Sequence, residues 1–383
     1  MHTKSWLATS AWTTSSWLIG ATVFFYAATS SAQTDQQRQT AAEDAAASSA
    51  CQDSSRNPLN FYWEIGDQNG RRGYGSVGSS PPTQTDVLYI ASAGKWLYGA
   101  YVAEIRSGSL DSQLDVPFLT MKMGYESMNT SLCTLLDTVN TCFTRLSNNN
   151  QNSNDKTVFN AGGSVQQYGS FYYNPGNLQA HAVNVMGLGS KGRNPLADAV
   201  NAALFGNPLP SGVTGVSYYV PSLGGGAKID AADYALFLQK ILSGALKMHD
   251  LLDADAVCAN LASNPNTGLP YCDISSDPSD MNPNKVSAAS GSVPMDPGNT
   301  LLPSNYLDWQ YSIAHWIEPD PNNYAGDGAY SSPGAKGFYP WIDKTKTWYG
   351  IIARSDTTGE TAAEQSINCG RAIRQAWLTG RYP

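Results

Sequence analysis

Stretches that read as strands stand at both ends of this 383-residue chain, and stretches that read as helices fill its middle. "FYWEIGD" and "GYGSV" flank Asn69-Gly70, a strong two-residue hairpin signal, and "DVLYIAS" follows as a third extended run. Strand patterns return only near the C-terminus, in "LDWQYSIAHWIE", "GAKGFYPWID" and "TWYGIIAR", with "DKTK" as the turn between the last two. Between them "NPLADAVNAALFG" and "IDAADYALFLQKILSG" read as helices; Asp230 can cap the second and Gly244 can end it. "TAAEQSINCGRAIRQAWLTG" closes the chain as a helix. One antiparallel sheet built from both chain ends, flanked by helices and carrying an inserted, mainly helical subdomain, accounts for that order: an α+β fold. The boundaries predicted are residues 55–383 for a single domain, with the sheet from about 55–91 and 301–383 and the helical part from about 92–300.

The first 32 residues stand apart. "WLIGATVFFYAA" is too short to span a bilayer, and "SSA" ending at Ala32 offers small residues to a signal peptidase. The expectation is an exported protein, periplasmic or secreted, with no stable membrane span once that signal is removed. Residues 33–54 are of low complexity and are expected to form a mobile lead-in.

An oxidising compartment turns six cysteines into disulfides. The spacing favours two local loops, Cys133 with Cys142 and Cys258 with Cys272. Cys51 and Cys369 are then left to tie the chain ends together. No CxxC pair occurs and the four histidines are scattered, so no metal site is expected, and no cofactor is called for. Charged residues are only 14% of the chain and the net charge is −8, with no basic patch dense enough for nucleic acid.

The chemistry-bearing feature is Ser92-Ala93-Gly94-Lys95, where the extended run turns into a helix. Residues i and i+3 share a helix face, so the Lys95 amine falls beside the Ser92 hydroxyl. Burial among apolar neighbours and the positive end of the helix dipole both lower a lysine pKa, which makes the amine a base for the serine. The same spacing at Ser153-Lys156 lies in the polar "SNNNQNSND" region, where nothing would depress the lysine, and is set aside. His181 and His315 are read as structural.

The neighbourhood of Ser92 resembles the nucleophile segment of the β-lactamase-related serine hydrolases, the family of class C β-lactamases, D-Ala-D-Ala peptidases and the esterases that share their fold. "FYYNPGNLQAHAVNVMGL" is similar to that family's Tyr-x-Asn motif and the helix after it, "LGGGAKIDAADYALFLQKILSG" to its Gly-rich segment and helix, and "WQYSIAHWIE" to a late strand. The resemblance runs from about Tyr62 to Arg354. It implies that Ser92 is the acyl-forming nucleophile and that Lys95 shares its proton. Tyr172 would activate the serine and protonate the leaving group, the choice of base between Lys95 and Tyr172 staying open. Asn174 would hold Lys95 or the substrate.

The third family motif, Lys or His, one residue, then Gly, falls on Ser332-Pro333-Gly334, so its cation is missing. Ala335 would supply the second oxyanion N–H beside that of Ser92. Lys336, read as part of a strand, could face the site or point away from it. "KTKT" in the turn before "WYGIIAR" is a decoy for this motif. The missing cation points to a small ester rather than a carboxylate-bearing amide, with Trp96, Tyr173, Trp309, Trp316 and Tyr339 as aromatic surface for an apolar group. The rivals are a β-lactamase or D-Ala-D-Ala peptidase, with Lys336 replacing the cation, and a non-catalytic binding protein on the same fold. The presence of Ser92, Lys95 and Tyr172 together argues against the last.

Overall fold

The computed structural model describes residues 33–52, 59–123, 125, 132–149, 171, 173–258, 309–318, 327–356 and 360–382. The leader expected over residues 1–32, Tyr172, the Ser153-Lys156 pair and Cys272 lie outside these.

The hairpin forms where Asn69-Gly70 places it: β1 (Phe61–Asp67) turns directly into β2 (Gly70–Val77), and Gly70 adopts φ +133°. β1 also pairs antiparallel with β11 (Tyr349–Ala353), joining the two chain ends. The sheet continues through β10 (Tyr339–Ile342) and β9 (Tyr330–Ser331), then β8 (Trp316–Ile317) and β7 (Gln310–Tyr311), to β6 (Val257–Cys258) at the far edge. Among the described residues, eight strands in the order β2-β1-β11-β10-β9-β8-β7-β6 therefore draw on both ends plus one short strand from mid-chain. β11 is buried at every position because both faces are covered. On one face lies α7 (Ala231–Leu242), whose Gln239 donates to the Tyr349 hydroxyl. On the other lies α9 (Glu360–Thr379), whose Arg374 guanidinium stacks over Trp341.

Three expectations change. Residues 33–52, the described part of the segment 33–54 expected to be a mobile lead-in, are ordered against the fold: α1 (Asp35–Ala47) starts on a Thr34–Gln37 capping box, and buries Ala41, Ala42, Ala45 and Ala46 against α9. Arg38 donates to Trp377 O, and Cys51 is bonded to Cys369 with its Cα 4.4 Å away. "LDWQYSIAHWIE" is not one strand but the tight hairpin β7–β8, reversed at Ala314 with φ +58°. "DVLYIAS" contributes only β3 (Leu88–Tyr89). It leaves the main sheet for a three-stranded one with β5 (Ala227–Ile229) and β4 (Ser217–Tyr218).

The middle of the chain supplies α2 (Gly94–Ile105), α3 (Val116–Leu119), α4 (Val139–Asn149), α5 (Gly176–Asn184), α6 (Arg193–Leu204) and α8 (Met248–Leu251). Asp230 caps α7 through the Asp233 N–H at 2.8 Å, as its position implied. Cys133 and Cys142 are bonded. Among the described residues no helix is long and apolar enough to cross a membrane.

Candidate active site

The nucleophile turn is held from four sides. Ala91 adopts φ +46°, a left-handed conformation that a residue with a Cβ rarely takes, and Ser92 follows it in a single 3-10 turn (Ala91–Ala93) that runs into α2. Ile90 N–H donates to Ala227 O of β5, and the Tyr234 hydroxyl of α7 donates to Ala93 O at 2.9 Å. Ser332 donates from its buried hydroxyl to Ser92 O at 3.2 Å. Gly334 backs directly onto the turn: a Cβ there would come within 2.1 Å of Ile90 O, so no other residue fits without moving the nucleophile.

Ser92 is 8% exposed and Lys95 2%. The Lys95 amine lies 2.8 Å from Ser92 Oγ and donates to Gly224 O at 2.6 Å. Burial in this apolar setting pulls its pKa down to about 7. Gly224 presents its carbonyl because the Gly-rich segment is pinned. Leu223 N–H donates to Gln179 Oε1, and Gln179 Nε2 donates to Pro221 O and Val139 O. A Cβ on Gly224 would strike Pro175 at 2.4 Å.

Among the described residues, the phenol beside this pair belongs to Tyr173. Its hydroxyl is hydrogen-bonded to the Ser92 side chain and to the Trp316 indole, and the Lys95 amine sits 4.7 Å over its ring. Burial pushes this phenol up to about 12, against the two hydrogen bonds that lower it. Its ring packs on Trp316 at 5.0 Å and on Tyr311 at 5.6 Å. Tyr172, the residue that the Y-x-N register selects, lies outside the described residues; Tyr173 was expected only as aromatic surface, and the doubled tyrosine was its one signal in the sequence.

Asn174 Oδ1 accepts from Gly176 N–H at the start of α5, so the carbonyl of this amide serves the turn. The expected strand through Lys336 is absent: Gly334 N–H donates to Phe338 O, and Ala335 and Lys336 lie in the turn joining β9 to β10. Strand alternation therefore does not orient Lys336, which is partly exposed, as is Ala335. Of the five aromatic residues expected to serve the substrate, Tyr173 and Trp316 reach the site. Trp96 is core, stacked on His315 at 5.2 Å. Trp309 lies under Arg371, and Tyr339 accepts from Arg374 in the ion cluster beside α9.

His181 braces the site without touching it. Its Nδ1 meets the Tyr98 hydroxyl of α2 at 2.8 Å, and its Nε2 meets Asp115 at 3.0 Å. Asp115 also takes a two-pronged bond from Arg106. Burial pushes the Asp115 carboxyl up, but His181, Arg106 and the Asp111 N–H outweigh it and hold the group at about 2. α2, which carries Lys95, is thereby locked to α5, which follows Tyr173. The "KTKT" lysines Lys344 and Lys346 pair with exposed Asp253, at 3.1 and 3.5 Å. Among the described residues no group of His, Cys, Asp and Glu is arranged to hold a metal ion.

No protein-family model matches the sequence, and no curated protein matches it. Solved structures do. The D-amino acid amidase of Ochrobactrum anthropi aligns over 88% of this chain and 98% of its own, with a TM-score of 0.50 and 11% identity. A penicillin-binding protein of Bacillus halodurans aligns over 86% and 98%, at a TM-score of 0.47 and 14% identity. EstCE1, a hydrolase with promiscuous acyltransferase activity, aligns over 88% and 99%, at 0.48 and 12%. The chain has the fold of the β-lactamase-related serine hydrolases, an antiparallel sheet with flanking helices.

Proposed function

We propose that the protein is an exported serine hydrolase that acts through an acyl-enzyme on small esters. The observation that carries this reading is the Lys95 amine 2.8 Å from Ser92 Oγ, in a setting dry enough to bring its pKa to about 7. As the free amine, Lys95 takes the hydroxyl proton while Oγ attacks the substrate carbonyl. The oxyanion lies between the N–H groups of Ser92 and Ala335, a pairing supported by the contact of Gly334 with the nucleophile turn. The alcohol leaves with a proton, and water then releases the acid and restores Ser92.

An ester is favoured over a carboxylate-bearing amide by Ser332. It stands where related enzymes carry a cation, and its hydroxyl is turned to Ser92 O. A neutral, inward-bonded residue offers a substrate carboxylate no charge-assisted bond. A β-lactam or D-Ala-ending peptide is the second reading, supported by Lys336, partly exposed one residue beyond Ala335. Export is supported by the Cys51–Cys369 and Cys133–Cys142 disulfides, which persist in oxidising compartments.

A fluorophosphonate probe is expected to add its mass to Ser92, and Ser92→Ala to abolish the labelling. Labelling of another residue, or none, refutes the acyl-enzyme reading. Rates on short- and long-chain esters, a chromogenic β-lactam and a D-Ala-D-Ala peptide then separate the two substrate readings. A preference for the β-lactam or the peptide overturns the ester.

A further inference from the structure

We infer that Arg354 is a positioning residue for the oxyanion hole: it holds Asp356 so that the Asp356 N–H ties down the turn that presents the Ala335 N–H to the substrate. The inference rests on the acyl-enzyme reading with Ala335 as the second oxyanion donor, and it names what sets the place of that donor.

Arg354 directly follows β11 and is buried. Its Nη2 pairs with Asp356 Oδ2 at 2.6 Å, and its Nη1 donates to Gln365 Oε1 of α9 at 3.1 Å. The Asp356 N–H in turn donates to Lys336 O at 2.9 Å. Lys336 is the residue after Ala335, so this bond acts one residue from the oxyanion donor. The stem of the arginine supports the same turn. Gly337 adopts φ +86°, and a Cβ there would come within 2.7 Å of Arg354 Cγ. The Arg354 methylenes therefore fill the space that a side chain at position 337 would need.

Two bonds close the turn on itself, Gly337 N–H to Gly334 O at 2.7 Å and Gly334 N–H to Phe338 O at 2.8 Å. They fix its shape but not its distance from Ser92, which is set by contacts outside the turn. At one end Gly334 is stopped by Ile90 O of the nucleophile turn. At the other Lys336 O is held by the Asp356 N–H. Asp356 lies beyond the sheet, in no helix or strand, and its pair with a guanidinium itself bonded to α9 restrains it. With the guanidinium 3% exposed and the carboxylate 24%, the pair is screened less than a surface one. An oxyanion hole works only with its donors about 3 Å from the position where charge develops, so a loosened turn costs rate in the transition state.

The test compares kcat/KM on p-nitrophenyl acetate with kcat/KM on its thiono analogue, in which sulfur replaces the carbonyl oxygen. Sulfur is a weak hydrogen-bond acceptor, so the hole contributes little to the thionoester. A variant that merely loosens the fold slows both substrates alike. Removing an oxyanion donor outright costs about a hundredfold or more. Arg354→Met keeps a stem, removes the ion pair and leaves the donor present but loose, and should lose about tenfold more on the ester than on the thionoester. Arg354→Lys keeps a charge for Asp356 and should recover part of that bias. Asp356→Asn keeps the N–H and weakens the pair, and should show a smaller loss with the same bias. Equal losses on both substrates in Arg354→Met, or no loss on either, overturn the assignment. If Arg354→Met does not fold, the bias in Asp356→Asn decides by the same ratio. The acyl-enzyme reading fails separately, by absence of the fluorophosphonate label on wild-type Ser92. The role of Ala335 fails separately if folded Ala335→Pro, which lacks the N–H, shows no bias between the two substrates.

Discussion

Lys95 makes the pH dependence of the reaction a measurement of its surroundings. Burial takes the amine from the ordinary lysine value of 10.5 to about 7. At ~1.36 kcal/mol per pH unit, that displacement corresponds to about 5 kcal/mol of preference for the neutral amine over the ammonium. If the amine is the base, kcat/KM on a neutral ester should be half its plateau near pH 7. It should fall about tenfold for each further pH unit of acidification. A stability effect accompanies it, with a definite sign. Between about pH 7 and pH 10.5 the unfolded chain carries the proton on this lysine and the native chain does not, so stability rises with pH across that window. Below about pH 7 both states are protonated, and this group adds no further slope. Lys95→Met should flatten that part of the stability profile. Lys95→Arg, whose guanidinium cannot serve as a base, should lower kcat/KM by about a thousandfold. The assays are kcat/KM on p-nitrophenyl acetate from about pH 5 to 9, and urea denaturation of wild type and Lys95→Met at about pH 7 and 10. A rate profile flat from about pH 5.5 to 8 in folded protein would refute the reasoning, because the base would then be a group that titrates elsewhere.

Two further predictions concern the frame. Gly334→Ala puts a Cβ 2.1 Å from Ile90 O and must push the β9–β10 turn away from the nucleophile. A loss of about a hundredfold in kcat/KM is expected from such a misplacement, and unchanged kinetics would show the two turns to be uncoupled. Cys51→Ser should destabilise the protein by about 2–4 kcal/mol, read as a fall in melting temperature, because Cys51 and Cys369 are 318 residues apart and the bond anchors α1 to α9; an unchanged melting temperature would show that packing alone holds α1.

How far the fold could be read in advance depends on where each element's information lies. The β1–β2 hairpin and α7 carry theirs locally, in Asn69-Gly70 and in Asp230 ahead of an apolar face, and both form as expected. α1 does not. Its buried face is four alanines, too small to produce an apolar period among glutamines and threonines, and its stability comes from α9 and Cys369, more than 300 residues away. The β7–β8 hairpin escaped for a different reason. Its reversal uses Ala314 at φ +58°, where a turn would ordinarily advertise itself with glycine or asparagine.

The site divides in the same way. Ser92 and Lys95 are three residues apart on one turn of backbone, so local geometry brings them together. The phenol must come from another segment, and there the sequence offers two options. Pro175 restricts the residue before it towards extended backbone, and in an extended run neighbouring side chains face opposite ways. One face would present the first and third residues of Tyr172-Tyr173-Asn174, the other the middle one. Spacing alone selects the first option, because Tyr-x-Asn is a match and Tyr-Asn is not. What holds Tyr173 at the site is Trp316, more than 140 residues downstream, whose indole meets the Tyr173 oxygen and whose ring packs on the Tyr173 ring. Trp316 stands on β8 because Ala314 reverses the chain, so the conformation that hid the hairpin also brings in the donor that fixes the phenol. The place of the Tyr173 phenol beside Ser92 is therefore set by a tertiary contact, and spacing along the chain carries no record of it.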